Sequence, residues 1–407
     1  MAKYAPGFAA AVNSGVSAFI GGYGVIAPVA IFFILSPCLA KLLGIGRTGR
    51  FGLYALGWFA TRRLLACLWG VMFTALLFQF PLFPTQHGNL ASALGKALTS
   101  FLWMATHNTY FFAMYLGIAV SFLSLRVAWV RKILTNALAL IEDGGQYLQL
   151  LMPVFMLAVG AYIYGLPQNL EAPMRLAQEG LQAGRVTFIG VKINPHTPRD
   201  FILAYLIGAL LVGLGCFLWH SILVGVTKWK VRSFSIRAYF LKYWVKVYPL
   251  LWATSSESLA TPLNLHLTKV HFPQIKDEVR SFAVGMGSYL NINGTLICVF
   301  VLLGVVANLM GFRLSVLELL SCIPLVFLIG YGVPGIPGEL ILFAGPITVL
   351  LNLPASIIPT FLALYSGLQL GLPDSFRTGN NSTDNVLCAV LLNDVYEKKF
   401  LAPAVKA

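Results

Sequence analysis

The stretch Asp374-Ser-Phe-Arg-Thr-Gly-Asn-Asn-Ser-Thr-Asp-Asn385 lies inside the last apolar region of the chain, which extends over residues 315–395. It holds two aspartates, one arginine and three asparagines. An ionisable side chain at the centre of a bilayer is energetically costly, and it persists where it faces a cavity, a partner or a ligand. If the surrounding region crosses a membrane, this polar stretch is therefore the first candidate for a functional site.

The composition of the whole chain indicates a membrane protein. Of its 407 residues, 58% are hydrophobic and 10% are charged, and the mean hydropathy is +0.80. Soluble domains carry about 25% charged residues, so water would not solvate this surface. The net charge of +14 fits basic residues that gather in cytoplasmic loops. A nucleic-acid partner is not expected, because no block of Lys and Arg is interleaved with aromatic residues.

Long apolar segments predict an all-α polytopic membrane protein, because a helix needs about 20 apolar residues to cross the hydrocarbon. The basic residues between the segments place the loop 167–200 outside the cytoplasm. Two points stay open: whether residues 1–24 insert as a span, and whether Arg62 and Arg63 face a protein interior or mark a late start of their span. The predicted spans are 25–43, 51–80, 101–125, 147–166 and 201–226, followed by three regions broken by small and polar residues, at 238–270, 281–311 and 315–395.

Residues 253–264 read Ala-Thr-Ser-Ser-Glu-Ser-Leu-Ala-Thr-Pro-Leu-Asn. The apolar flanks, 239–251 and 263–270, are each too short to cross a bilayer alone. They predict a re-entrant hairpin that enters and leaves on the cytoplasmic side. Free N–H groups at its serine-rich tip would attract anions. An ordinary cytoplasmic loop with a helix N-cap is the alternative.

Residues 332–339, Gly-Val-Pro-Gly-Ile-Pro-Gly-Glu, lie between two further short apolar flanks, 319–331 and 340–351. Irregular backbone at membrane depth is tolerated beside protein or a water-filled cavity. Its carbonyl groups could coordinate a cation. The stretch therefore predicts a second hairpin, with a plain turn between two short spans as the alternative.

Two polar motifs occupy the remaining broken spans. Asn291-Ile-Asn-Gly-Thr295 predicts an unwound break in the middle of a helix, because glycine weakens helices and the amides need partners. In the last span, Asp374, Arg377 and Asn381 recur at steps of three and four residues, which places them on one helical face. An arginine suits a carboxylate and an aspartate suits an ammonium group. This face predicts a site for an amino acid with an acidic side chain, or else an internal Asp–Arg pair without a ligand.

These breaks, in this order, resemble the glutamate transporter family, the dicarboxylate/amino acid:cation symporters. Ser-Ser-Glu-Ser at 255–258 is similar to the family's serine-rich first hairpin tip, and Gly332-Val-Pro-Gly335 to its second. Asn291-Ile-Asn-Gly-Thr295 resembles the family motif Asn-Met-Asp-Gly-Thr. Asp374-Ser-Phe-Arg377-Thr378, with Asn381 and Asn385, matches the family spacing Asp-x-x-Arg-Thr, Asn and terminal Asp.

The resemblance implies an elevator-type carrier, a homotrimer in the plasma (inner) membrane. A scaffold and trimerisation domain would comprise residues 1–50 and 101–166. A transport domain would comprise residues 51–100 and 201–400, with hairpins at 238–270 and 315–356.

The resemblance also implies the roles of individual residues in binding an acidic solute. Arg377 would bind its side-chain carboxylate and Asp374 its amino group. The second hairpin would be the outer gate. The remaining substrate-binding residues would be Thr378, Asn381, Ser255, Ser256, Thr295, Val333 and Gly335.

The cation-binding positions depart from the family pattern. Asn293 and Asn385 stand where the family has aspartates, and Leu370 aligns with a further cation-binding aspartate. An amide oxygen ligates sodium without supplying charge, so hard-cation binding should weaken. The residues implied in cation binding are Asn291, Asn293, Asn385 and Asp384, with Na⁺ or H⁺ as the coupling ion, and no organic cofactor is expected.

Three hypotheses for function follow from the site. The first is secondary active transport of glutamate or aspartate. The second is a C4-dicarboxylate symporter, which needs the arginine but no ammonium partner. The third is a non-transporting solute sensor or anion channel, because cation carboxylates are missing. An enzyme is not expected, since no nucleophile–base pair, phosphate loop or metal-binding cluster stands out.

Overall fold

The computed structural model describes residues 6–43, 48–84, 90–181, 186–333, 335 and 338–401. Within them the chain is almost entirely helical. A single two-stranded antiparallel sheet occurs, β1 (Val186–Phe188) with β2 (Val191–Ile193), in the predicted outside loop.

The helices of the first half are α1 (Pro6–Leu43), α2 (Thr48–Phe78), α3 (Leu90–His107), α4 (Thr109–Arg126), α5 (Ala128–Gly144), a 3₁₀ turn (Gly145–Leu151), α6 (Met152–Tyr164), α7 (Leu166–Asn169), α8 (Glu171–Gly180) and α9 (Pro198–Lys230). The second half contains α10 (Ile236–Ala238), a π-helix (Tyr239–Trp244), α11 (Val245–Thr254), α12 (Glu257–His271), α13 (Asp277–Arg280), a π-helix (Ser281–Met286), α14 (Gly287–Leu290), α15 (Asn293–Leu309), α16 (Val316–Ile329), a 3₁₀ turn (Gly330–Gly332), α17 (Ile341–Leu350), α18 (Ile358–Gln369), α19 (Leu372–Val395) and a π-helix (Tyr396–Leu401).

Helices long and apolar enough to cross a membrane confirm the all-α membrane fold. Among the described residues there are four: Arg50–Phe78, Thr109–Arg126, Pro198–Lys230 and Asp277–Leu309. The predicted span 101–125 is divided at Asn108, whose side chain accepts a hydrogen bond from Tyr110 N at 2.8 Å and caps α4. Arg62 and Arg63 are buried inside the unbroken α2, so they do not mark a late start of that span.

Helix α15 is the centre of the molecule, and only Asn308 along it is not fully buried. It is apolar on all sides, as expected of a helix surrounded by protein. Helices α2, α9 and α19 pack around it. Most of the buried apolar side chains among the described residues belong to two large clusters. The chain passes from one to the other at the break before α15 and again along the polar stretch of α19.

The first hairpin consists of α11 and α12, which meet at Ser255 and Ser256. Ser255 has a left-handed backbone with φ of 47°, and Ser256 caps α12 by accepting from Leu259 N at 3.2 Å. A positive φ is uncommon for serine and reverses the chain sharply here. The serine-rich tip is thus where two short helices meet.

The second hairpin consists of α16 and α17, and the described residues of its tip are 330–333, 335 and 338–340. A capping box at Ser315 and Glu318 starts α16. Gly335 and Gly338, with φ of 68° and 76°, turn the tip in conformations that glycine adopts without strain.

The break predicted at 291–295 lies at Asn291 and Ile292, between α14 and α15. Gly294 follows in the first turn of α15, where a Cβ would lie 2.4 Å from the Arg377 carbonyl oxygen. Glycine is therefore needed for α15 to approach α19 this closely. Helix α19 itself runs unbroken through the polar stretch.

Candidate functional site

Arg377, on α19, lies at the centre of a fully buried cluster of polar side chains. Its Nε donates to Asp374 Oδ1 at 2.6 Å, one turn earlier on the same helix, and its Nη2 pairs with the same oxygen. Its Nη1 donates to Thr295 Oγ1 at 2.9 Å. The predicted helical face thus exists, and Asp374 and Arg377 contact each other.

Glu339, from the tip of the second hairpin, is the second carboxylate on Arg377. Its Oε1 pairs with Arg377 Nη1 and accepts from Thr295 Oγ1 at 3.2 Å. Its Oε2 accepts from Gly335 N at 2.7 Å. The guanidinium is therefore held between a carboxylate of its own helix and a carboxylate of the hairpin tip.

Asn381 joins α19 to α15 and to the first hairpin. Its Oδ1 accepts from Gly294 N at 2.5 Å and Thr295 N at 3.2 Å, which satisfies the exposed N–H groups at the start of α15. Its Nδ2 donates to Thr295 Oγ1 at 2.8 Å and to Glu257 Oε1 at 2.7 Å. The other oxygen of Glu257, Oε2, is buried without a hydrogen-bond partner.

The tips of the two hairpins meet next to this cluster. Gly335 O accepts from Glu257 N at 3.0 Å and from Ser256 Oγ at 3.3 Å. Ser255 Oγ lies 3.2 Å from Ser375 Oγ on α19. Val333 is buried at the same tip.

Thr378 is the predicted site residue whose side chain lacks a partner. Its hydroxyl is buried without a hydrogen bond. A buried polar group in that state costs free energy that a bound ligand could recover. All nine predicted substrate residues are buried; they are Arg377, Asp374, Thr378, Asn381, Ser255, Ser256, Thr295, Val333 and Gly335.

The predicted cation residues fall into two separate groups. Asn293 Nδ2 donates to Asn291 Oδ1 at 2.7 Å, and Asn291 Nδ2 donates to Asn385 Oδ1 at 2.8 Å. This chain of amides leaves Asn293 Oδ1 without a donor. It offers oxygen ligands but no carboxylate.

Asp384 points away from the amides, because neighbouring residues of a helix face different directions. Its Oδ1 lies 2.6 Å from His220 Nδ1 on α9, and its Oδ2 lies 3.4 Å from Arg62 Nη2 on α2. Tyr239 OH lies 3.1 Å from His220 Nε2. Asp384 is thus paired with cationic and polar side chains of the protein.

The sequence motifs did not indicate Glu257, Glu339 or His220 as residues of the site. The partners that join them to α19 are Arg377, Asn381 and Asp384, which lie 38, 124 and 164 positions away along the chain. No local spacing carries that information. The cost of a buried carboxylate was the only signal for Glu257 and Glu339.

Comparison with known proteins supports the resemblance drawn from the motifs. Residues 197–395, from the start of α9 to the end of α19, match the model of the sodium:dicarboxylate symporter family. A comparison with curated proteins gave no match. The matched segment contains both hairpins, the break before α15 and every predicted solute residue. Over residues 197–395, the chain is similar to the sodium:dicarboxylate symporter family, a family of membrane transporters.

Proposed function

We propose that this protein is a secondary active transporter of a small acidic amino acid, glutamate or aspartate, and that the solute binds at Arg377. The observation that carries the proposal is the fully buried guanidinium of Arg377, which lies among polar side chains beside two hairpin tips. A buried arginine is suited to a carboxylate, because its planar donors pair with two oxygens at once.

The neighbouring side chains suit the rest of such a solute. The unpartnered hydroxyl of Thr378 and the hairpin tip at Ser255 and Ser256 would hold the main-chain carboxylate. Asp374 would hold the ammonium group. Binding there replaces water around the solute with donors that are already fixed in place.

A C4-dicarboxylate is the second candidate solute, and one observation favours it. Both oxygens of Asp374 are engaged, Oδ1 by Arg377 and Oδ2 by Gly338 N at 2.9 Å. An ammonium group would have to share them. The family description also names dicarboxylates.

Uptake into proteoliposomes tests the site. We expect Arg377→Ala to lower the affinity for labelled aspartate at least ~10-fold, because a charge-assisted hydrogen bond is lost in a buried site. Arg237→Ala, an exposed arginine on α10, is the control. An Arg377→Ala protein that folds and still transports at the normal rate would rule out the proposal.

Thr378→Val is the milder test, because its hydroxyl bonds to no protein group and valine has the same shape. We expect unchanged thermal stability and weaker solute binding.

Asp374→Asn distinguishes the two candidate solutes. It should weaken the binding of aspartate more than the binding of succinate if an ammonium group binds there, and should weaken both equally if none does.

The scaffold and transport domains, the homotrimer and the elevator movement are also part of the proposal. They rest on the family resemblance rather than on a contact within this chain. Symmetry-related copies of the segments 1–50 and 101–166 would form the trimer.

A further inference from the structure

We propose that Glu339 is a tethered competitor for the solute: its carboxylate holds Arg377 in the empty transporter, and the solute's carboxylate must displace it. This inference rests on the proposed function of the same site. It adds a residue that sets the affinity for solute and links binding to movement of the second hairpin.

The first argument is the position of the Glu339 carboxylate. It contacts the guanidinium through Nη1 and shares Thr295 Oγ1 with it, so it takes up the donors that an incoming carboxylate needs. Asp374 already occupies Nε and Nη2. A solute carboxylate cannot pair with two guanidinium donors of Arg377 at once while both carboxylates stay in place.

The second argument is charge. Three acidic side chains lie around one guanidinium; they are Asp374, Glu339 and Glu257. Adding a fourth acidic group beside the others would set like charges against each other in a dry site, where such repulsion is strong. Exchange of one carboxylate for another keeps the number of carboxylates paired with Arg377 constant.

The third argument identifies which carboxylate leaves. Asp374 sits three residues from Arg377 on the same helix, so the backbones of the two residues stay at a fixed distance while α19 is intact. Glu339 belongs to another element, and it follows Gly338, whose φ of 76° belongs to an irregular tip. Rotation at the tip can carry Glu339 away while α19 stays intact.

The contacts of Glu339 link this exchange to the hairpin tips. Its Oε2 holds Gly335 N, and Gly335 O in turn holds Glu257 N and Ser256 Oγ of the first hairpin. Arg377 is thus connected through Glu339 to hydrogen bonds that join the two tips. Release of Glu339 would free the tip to open for the solute.

Equilibrium binding of labelled aspartate and succinate to the purified protein tests the proposal. We expect Glu339→Gln to bind at least one of them about 10-fold more tightly. In the natural protein the apparent affinity is lowered, because only the molecules in which Glu339 does not hold Arg377 can bind the solute. Glu339→Asp, which is shorter and reaches Arg377 less well, should give an intermediate gain. Glu318→Gln, which removes a glutamate from the start of α16, is the matched control with unchanged affinity.

Backbone hydrogen exchange in the empty protein gives an independent readout. We expect peptides covering residue 335 and residues 254–258 to exchange faster in Glu339→Gln, since the charged link to Arg377 is lost. Glu318→Gln should leave these peptides unchanged.

The outcomes separate this inference from the proposed function. If Arg377→Ala abolishes binding while Glu339→Gln binds within twofold of the natural protein, Glu339 is no competitor and the solute site stands. If Glu339→Gln loses binding, the carboxylate is part of the solute site and the competitor proposal is wrong. If neither variant changes binding, the proposed solute site itself fails.

Discussion

At the scale of single residues, the buried pair of Arg62 and Asp384 makes a prediction about stability. Replacing Arg62 by leucine would leave the Asp384 carboxylate facing only His220 in the core. Breaking a buried ion pair on one side costs about 3–5 kcal/mol. We expect a clearly lower midpoint of thermal unfolding for Arg62→Leu, and recovery in the double variant Arg62→Leu/Asp384→Asn. Arg50→Leu, at an exposed position of the same helix, is the control. Equal stability of all three variants would contradict the pairing.

The same scale shows what a sequence can predict of a site. The spacing of Asp374, Arg377 and Asn381 was sufficient to place them on one face, because a helix repeats every 3.6 residues. The partners of that face were not predictable. Glu339 reaches Arg377 from another hairpin, and Asp384 turns to His220, which is 164 residues away. Such pairs depend on tertiary packing, which local periodicity does not encode.

At the scale of elements, the close contact of α15 with α19 predicts the effect of a methyl group. A Cβ at Gly294 would lie 2.4 Å from the Arg377 carbonyl oxygen and 3.0 Å from Asn381 Oδ1. Overpacking of this kind typically costs about 1–3 kcal/mol, and it would push Arg377 away from Thr295. We expect Gly294→Ala to lower both stability and solute binding. Gly225→Ala on α9, where no atom lies within 4 Å of the new Cβ, should do neither. A fully active Gly294→Ala protein would contradict this account of the contact.

Helix breaks were also the elements that the sequence indicated best. Ser255, Asn291 and Gly335 lie in stretches of small and polar residues flanked by apolar runs too short to cross a bilayer. The division of the span 101–125 was not foreseen, because it depends on a single side-chain cap at Asn108. Domain boundaries stay predictions, since composition does not say which helices would move together.

At the scale of the whole molecule, the amide chain Asn291–Asn293–Asn385 predicts the ion dependence of uptake. These residues offer oxygens but no net charge, and the adjoining Asp384 is already paired with Arg62. Hard cations bind most tightly where carboxylates supply charge. With sodium and pH varied independently in proteoliposomes, we therefore expect uptake to depend weakly on sodium. The double variant Asn293→Asp/Asn385→Asp should gain sodium dependence, whereas Asn308→Asp, outside this chain of amides, should not. Steep, multi-ion sodium dependence of the natural protein would show that backbone and amide oxygens suffice, and would overturn the prediction.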